Sequence, residues 1–533
     1  MADIGIEEFE NAPVPKVAPT RALKVGAVGL FAVLFMALAN AAPITAMTGN
    51  VPIAVGYGNG IYAPAGFVVA TVVLTLFTIG YVAMARYVTT AGAFYGFVSQ
   101  GLGQVWGMAT GLLATMAYVV FEGSLIGIFS YFANDALNTW FSWNVNWLVL
   151  ALIGIVVVGI FGYYDINIAA VILGVFLICE VVLLTALSLS VLFKGGGPNG
   201  LMPSSVNPLN AFKSLPAGGG VIPTVKDSTG AAIPAGAAAI GVFFAFWSWI
   251  GYETTAVYGE ESRNPRRIVP RATLFAVVAL GVFYAFVSWM VIAGNGQRQS
   301  IDKAYNNSIG MFTDLAAKNL GGHWVVNVYL FLIMSGSFAC ALAFHNAASR
   351  YLYAISRELP ALQSSLGRTH VKHHTPYIAS VTQSLITLVL TVCFYLLTPG
   401  GHDALTGGYI FLYGLLALLG TMAILIVMAI CSLAVISYFH IRKAHTGDIW
   451  TTLVIPVIGF LGMVYVLYLL ISNLAFAGGG ASGSLFYKLI PWMVGATFVI
   501  GLVAALWLRA KRPETYQAVG RTVFEETHER AEV

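Results

Sequence analysis

Three carboxylates stand in the middle of long apolar stretches. They are Glu122 in Tyr118-Val119-Val120-Phe121-Glu122-Gly123-Ser124, Glu180 in Cys179-Glu180-Val181, and Glu253 in Trp247-Ser248-Trp249-Ile250-Gly251-Tyr252-Glu253-Thr254. A charge at the centre of a bilayer costs at least about 2.5 kcal/mol even on the gentlest scale, so such a residue marks a binding site, ion path or proton relay by default. A carboxyl sealed in one conformation and wetted in another takes up and releases a proton, which is the chemistry of coupled transport. Glu253 has a glycine, hydroxyls and three aromatics around it in sequence. Tyr118, four residues before Glu122, shares its helical face. Glu180 has no polar neighbours in sequence, so a structural hydrogen bond and ion coupling fit it equally. For each the plain alternative is a protonated acid bonded to a neighbouring helix. His345 and Asn346 read as hydrogen-bonding glue between helices, and Ser335 and Ser337 as packing hydroxyls or as sodium ligands.

A second chemistry belongs to the main chain. In Asn40-Ala41-Ala42-Pro43-Ile44-Thr45-Ala46, Pro43 removes a donor and crowds the preceding turn. Backbone freed in this way is tolerated in lipid only where it lines a cavity or finds other partners. A simple proline kink is the alternative. Gly251, inside the Glu253 segment, is a second potential interruption.

Around these residues the composition leaves little choice of class. Of 533 residues 58% are apolar and 9% charged, against about 25% charged in soluble chains, and the mean hydropathy is +0.82. A soluble or disordered chain is excluded. A net charge of +4 is too small to imply a nucleic-acid partner. Cys179, Cys340, Cys393 and Cys431 lie in apolar runs with no CxxC spacing, and read as small buried hydrophobes. No HExxH or comparable cluster points to a metal, a cofactor or a membrane enzyme, and no filter-like or charge-ring pattern points to a passive channel.

Twelve apolar runs are long enough to cross a bilayer: 25–56, 63–86, 104–134, 145–164, 167–193, 236–259, 272–293, 324–354, 377–397, 408–440, 450–476 and 485–510. The predicted fold is an all-α polytopic membrane protein. Residues 1–24 read as a cytoplasmic tail, because they carry Glu7, Glu8 and Glu10 and lack a basic signal-peptide start. With both termini inside, the outer connections hold Lys194, Lys213, Lys226, Arg298, Lys303, Lys318 and Lys488, and the remaining basic residues fall on the cytoplasmic side. That is the positive-inside pattern. The Gly- and Pro-rich loop 194–235 separates a first set of five crossings, 25–193, from a second set, 236–440; runs 450–510 are two further crossings and 511–533 a cytoplasmic tail. Five crossings per half invert the second half relative to the first, as in many secondary transporters whose helices 1 and 6 are broken at the substrate site.

After the sixth run, Tyr258-Gly259-Glu260-Glu261-Ser262-Arg263-Asn264-Pro265-Arg266-Arg267-Ile268-Val269-Pro270-Arg271 resembles the cytoplasmic signature of the amino acid-polyamine-organocation superfamily. Trp247 to Glu253 resembles the core of helix 6 in its arginine/agmatine antiporters. Gly92-Ala93-Phe94-Tyr95 is similar to the segment after their second helix. The resemblance implies the five-plus-five inverted repeat with a site between helices 1, 3, 6, 8 and 10. It implies that a substrate carboxylate meets amides near Ile44, Thr45 and Ala46, and that its amino group meets carbonyls near Ala41, Trp247 and Ile250. An anion at a helix N-terminus is sound chemistry. Trp247 matches the aromatic stacked over substrate, Glu253 the carboxylate of proton-sensitive gating, and Glu122 a position lining the site. Tyr118 and Tyr252 add aromatic lining. Phe344 stands where the antiporters have tryptophan, and Ala42-Pro43-Ile44 replaces the common Gly-Ser-Gly. Glu180 is the ionisable group of helix 5, where some proton-coupled relatives place a lysine.

The expectation is therefore an amino acid permease of the cell membrane, working by alternating access, with protons as the coupling ion through Glu253 and Glu180 and sodium as the alternative. A polyamine or amino acid exchanger and a non-transporting sensor are the rival readings. A carboxylate at Glu122 would favour cationic substrates, whereas the aromatics suit neutral ones equally.

Overall fold

The computed structural model describes residues 23–24, 26–164, 166–213, 225–226, 232–233, 238–442 and 448–520. The predicted N-terminal tail up to residue 22, most of the loop 214–237 and the tail beyond 520 lie outside the described residues. A chain in lipid must satisfy its backbone amides internally, and helices do so within one segment. Accordingly the described residues are helical apart from loops and one two-residue antiparallel pair, β1 (Val225–Lys226) with β2 (Ala232–Ile233).

In chain order the main helices are α1 (Leu30–Ala41), α2 (Pro43–Ile53), α3 (Ala63–Ala85), α4 (Phe94–Leu102), α5 (Gln104–Phe141), α6 (Trp147–Tyr163), α7 (Ile166–Phe193) and α8 (Ala238–Trp247). They continue as α9 (Pro265–Asn295), α10 (Gln297–Asn306), α11 (Gly310–Leu320), α12 (His323–Glu358), α13 (Tyr377–Leu397), α14 (Gly414–Ser437), α15 (Ile455–Ser472), α16 (Leu485–Lys511) and α17 (Pro513–Ala518). Starts follow local chemistry. Asn146 caps α6 by accepting from the Leu148 amide at 2.9 Å, and Ser484 caps α16 by accepting from Tyr487 at 3.2 Å.

Among the described residues nine helical stretches are long and apolar enough to cross a membrane. The first two predicted runs fall in one of them, Leu30–Ala85, and α6, at 17 residues, is shorter than the nine. The run 236–259 forms no continuous helix: α8 ends at Trp247, residues 248–251 turn, and a 3₁₀ segment follows over Tyr252–Tyr258. The outward surface confirms a lipid solvent. On α7 the exposed stripe is Val171, Val175, Ile178 and Val182, and on α16 it includes Trp492, Val499 and Val503. Water would not hold such stripes apart; acyl chains do. Cys179 and Cys393, read as buried from their apolar neighbours, belong to this outer surface, while Cys340 and Cys431 are buried. Apolar flanks mark a membrane helix and do not say which side faces the bundle.

The protein is thus an all-α polytopic membrane bundle. The long α5 packs along α12 and α14, and α3 along α9. Inside this frame lie two places where a helix stops and restarts, and they carry the site.

Candidate substrate cavity between two interrupted helices

The first interruption is one residue long. Ala42 takes the left-handed conformation (φ 42°, ψ 73°), its amide caps α1 by donating to Leu38 O and Ala39 O, and Pro43 opens α2 at a position that needs no donor. A non-glycine residue here costs roughly 1–2 kcal/mol, so its neighbours must hold it. They do. The Tyr284 hydroxyl donates to Ala41 O at 2.9 Å and Cys340 Sγ donates to Asn40 O at 3.2 Å, taking up the carbonyls that the break frees. At the start of α2 the Ile44 amide donates to Glu180 Oε2 at 3.3 Å. A carboxyl from α7 therefore sits at a helix N-terminus, where the dipole favours it.

The second interruption turns on Gly251, whose φ of +110° L side chains rarely adopt and whose added Cβ would lie 2.7 Å from Asn40 Cβ. Glycine is needed because the two breaks touch at this point. Asn40 Nδ2 donates to Thr254 Oγ1 at 2.7 Å, and that hydroxyl donates to Gly251 O at 2.6 Å. Glu253 folds back so that Oε2 accepts from the Gly251 amide at 3.0 Å, while Oε1 accepts from the Tyr118 hydroxyl at 2.7 Å. Each break thus carries one buried carboxyl on one of its own amides, Glu180 on the first and Glu253 on the second.

Beside the breaks is a cavity of about 50 Å³. Of the residues anticipated from the sequence, Ala41, Thr45, Ala46, Trp247, Ile250 and Phe344 line it. Ile44, Tyr118, Glu122, Glu180, Tyr252 and Glu253 are not among its lining residues. Tyr252 shares a hydrogen bond with Thr78 at 2.8 Å. Glu122 Oε2 lies 3.0 Å from His345 Nδ1, with both side chains fully buried. Asn346 accepts, through its carbonyl, from Arg350 Nη1, and the hydroxyls of Ser335 and Ser337 donate back to carbonyls of their own helix.

The sequence reading missed several lining residues, among them Asn50, Phe121, Ser124, Ser248 and Tyr413. A signal existed for some. Phe121 and Ser124 stand three apart on one face of α5, and Asn50 and Ser248 are polar residues in apolar spans that donate and accept one hydrogen bond at 3.0 Å. Three buried polar atoms on the lining residues have no hydrogen-bond partner among the described residues, Asn40 Oδ1, Thr45 Oγ1 and Asn50 Oδ1. Among the described residues no charged side chain lines the cavity.

A polytopic helical bundle that encloses an uncharged cavity at two interrupted helices has the build of a secondary transporter. Residues 28–514 match the amino acid permease family, and the chain belongs to it, as a transport protein and not an enzyme. The branched-chain amino acid permease BcaP of Bacillus subtilis (strain 168) is 25% identical over 143 residues, which cover 27% of this chain and 29% of that protein. Among solved structures, a Na⁺-coupled sialic acid symporter in a substrate-bound outward-open state aligns with a TM-score of 0.50 over 84% of this chain and 90% of that one. At 13% identity that likeness is one of fold alone.

Proposed function

We propose that the protein is a secondary active transporter of net-neutral amino acids, working by alternating access around the cavity at Ala42 and Gly251. The observation that carries the substrate class is the lining itself. Asn40, Thr45 and Asn50 offer unpartnered polar atoms, Phe121, Trp247 and Phe344 offer apolar wall, and among the described residues no lining side chain bears a charge. A lysine side chain or a polyamine would enter a desolvated space with no counter-ion, which is costly. The Bacillus subtilis relative is a branched-chain amino acid permease, whose substrates are uncharged in the side chain. The cavity has space for only a few water molecules, less than an amino acid fills, so substrate is admitted when the walls part.

The same proposal assigns twelve crossings to the chain, with an inverted pair of five-helix repeats over 25–193 and 236–440, two added crossings over 450–510, and both termini in the cytoplasm on the positive-inside pattern. Protons are the coupling ion. Glu180 and Glu253 each accept from an amide of a helix break, so adding a proton to either carboxyl changes a bond that holds the break in place.

Purified protein in proteoliposomes tests the proposal, with labelled leucine, alanine, lysine and putrescine under an imposed pH or sodium gradient. Leucine and alanine should accumulate above equilibrium when the pH gradient is imposed, and lysine and putrescine should not. Glu253→Gln should abolish accumulation and leave exchange of internal for external leucine. Accumulation driven by sodium alone would remove proton coupling, and putrescine uptake matching that of leucine would remove the neutral-substrate reading.

A further inference from the structure

Behind the cavity lies a buried chain of three side chains that the transport reading leaves unused. Glu122 on α5 and His345 on α12 each follow directly a cavity-lining aromatic, Phe121 and Phe344, whose ring centroids are 5.1 Å apart. His345 Nδ1 is 3.0 Å from Glu122 Oε2, and Nε2 shares a hydrogen bond with Ser380 Oγ on α13 at 2.8 Å. Glu122, His345 and Ser380 are all buried; Glu122 and His345 meet as a close acid–imidazole contact without hydrogen-bond alignment, since neither carboxyl oxygen of Glu122 nor His345 Nδ1 has a hydrogen-bond partner among the described residues. On the remaining side Gly162 of α6 meets the imidazole so closely that a Cβ there would overlap the ring. Four helices therefore converge on His345.

A buried acid and imidazole are costly to keep in hydrocarbon and are retained where geometry depends on them. Neither lines the cavity. They meet instead at the seam between α5 and α12, one residue away from the two rings that form the wall.

We propose that Glu122 and His345, backed by Ser380, are positioning residues for substrate specificity: they set the separation of Phe121 and Phe344 and so the size of the amino acid side chain accepted. The proposal rests on the cavity being the substrate site. Packed interiors respond to a change of a single methylene, and pocket size of that order decides between substrates by about tenfold. Loss of either partner lets the wall relax outward into the vacated volume and shifts preference towards the larger side chain.

The test compares kcat and KM for alanine and leucine uptake in proteoliposomes. Glu122→Ala and His345→Ala should each raise the leucine-to-alanine ratio of kcat/KM by about tenfold, mostly through KM. The double variant should go no further than the larger single effect, since both act through one contact. His345→Asn, which returns a nitrogen near the place of Nδ1, should bring the ratio back towards the parent value. Ser380→Ala leaves both titratable groups in place and should shift the ratio the same way by a smaller factor, so the proposal stays testable if an alanine variant fails to fold. Phe344→Ala tests the cavity itself and should change the ratio directly. An unchanged ratio in Ser380→Ala and in every folded variant of Glu122 and His345, with Phe344→Ala altered, would overturn the positioning role and leave the cavity standing. An unchanged ratio in Phe344→Ala would instead overturn the cavity reading.

Discussion

On the face where the two described chain ends lie, the helices are fastened by desolvated charge, whereas beyond the cavity they are fastened by hydroxyls, an amide and aromatic rings. At the first face Arg350 grips Glu261 with two bonds, Nε to Oε2 at 2.6 Å and Nη2 to Oε1 at 2.9 Å, and lies over the Tyr258 ring at 5.1 Å. Two helical turns on, Arg357 makes a second forked pair with Glu260 at 2.6 and 2.8 Å, and Glu260 also accepts from the Ala91 amide at 2.8 Å. Val28, just before α1, pairs with the segment carrying these glutamates through bonds to Glu261 and Arg263. On the far side of the break, along α2, the ties are Thr48 with Tyr329 at 2.5 Å, Asn50 with Ser248 at 3.0 Å, and the ring pairs Trp247 with Tyr413 and Tyr57 with Phe476.

The difference is one of reversibility. A neutral hydrogen bond contributes about 1 kcal/mol and its groups find other partners when the helices part. Separating a buried ion pair strands charge in a low dielectric, at about 3–5 kcal/mol when one partner is simply removed. Opening the α2 side should therefore cost less than opening the terminal side, which needs a compensating event. A carrier that opens one side at a time needs such an inequality, with substrate or proton binding to offset it.

The largest expected effect comes from Arg350→Ala, which leaves Glu261 buried and unpaired and should lower stability by about 3–5 kcal/mol. Thermal unfolding in detergent reads this as a large drop in Tm. Exchanging both partners for apolar residues, Arg350→Met with Glu261→Leu, should recover most of the Tm, because the penalty belongs to the stranded charge. A double variant as unstable as the single would mean that the pair acts through packing, and the contrast between the two faces would weaken.

A smaller effect is expected at Gly520, which docks the segment after α17 onto the same face. Its amide donates to Glu358 Oε2 at 2.8 Å and to the Tyr95 hydroxyl at 3.1 Å, and Tyr95 and Glu358 are themselves bonded. With φ at +73° and an added Cβ 2.6 Å from Ser99 Cβ, Gly520→Ala should loosen this docking by about 1–2 kcal/mol. Hydrogen exchange should quicken over 513–520 and stay slow around Arg350. Quickening that spreads to Arg350 would make the tail part of the ion-paired closure.

Much of this arrangement was legible from local sequence, and its limits are physical. Pro43 and the Gly251 segment announced both breaks because a missing donor and a backbone needing positive φ are properties of single residues. The three carboxylates announced themselves by the cost of burying charge. Their partners did not. Glu122 and His345 stand on different helices, and Glu180 meets an amide 136 residues away, of a residue with no polar side chain. The family resemblance implied Ile44 against substrate, yet nothing local reveals that its amide is already bonded to another helix. Cavity lining fails for the same reason: Tyr413 reads as one more aromatic in an apolar run until packing brings it to Trp247. Periodicity identifies a face; which element meets that face is a tertiary property.

The smallest expected effect, and the sharpest test of the contrast, is Asn50→Ala. It removes one neutral tie between α2 and the second break, and Ser248 keeps its bond to Phe244 O at 2.9 Å, so no donor is stranded. It also removes Asn50 Oδ1, an acceptor already buried without a partner. The net change should be about 1 kcal/mol or less, so Tm should stay near the parent value. The same increment, applied to opening and not to unfolding, makes the α2 side part more often by about fivefold. It should appear as faster hydrogen exchange over 43–53 in the substrate-free protein. A fall in Tm comparable to that of Arg350→Ala would show that the hydroxyl side is closed as firmly as the ion-paired side.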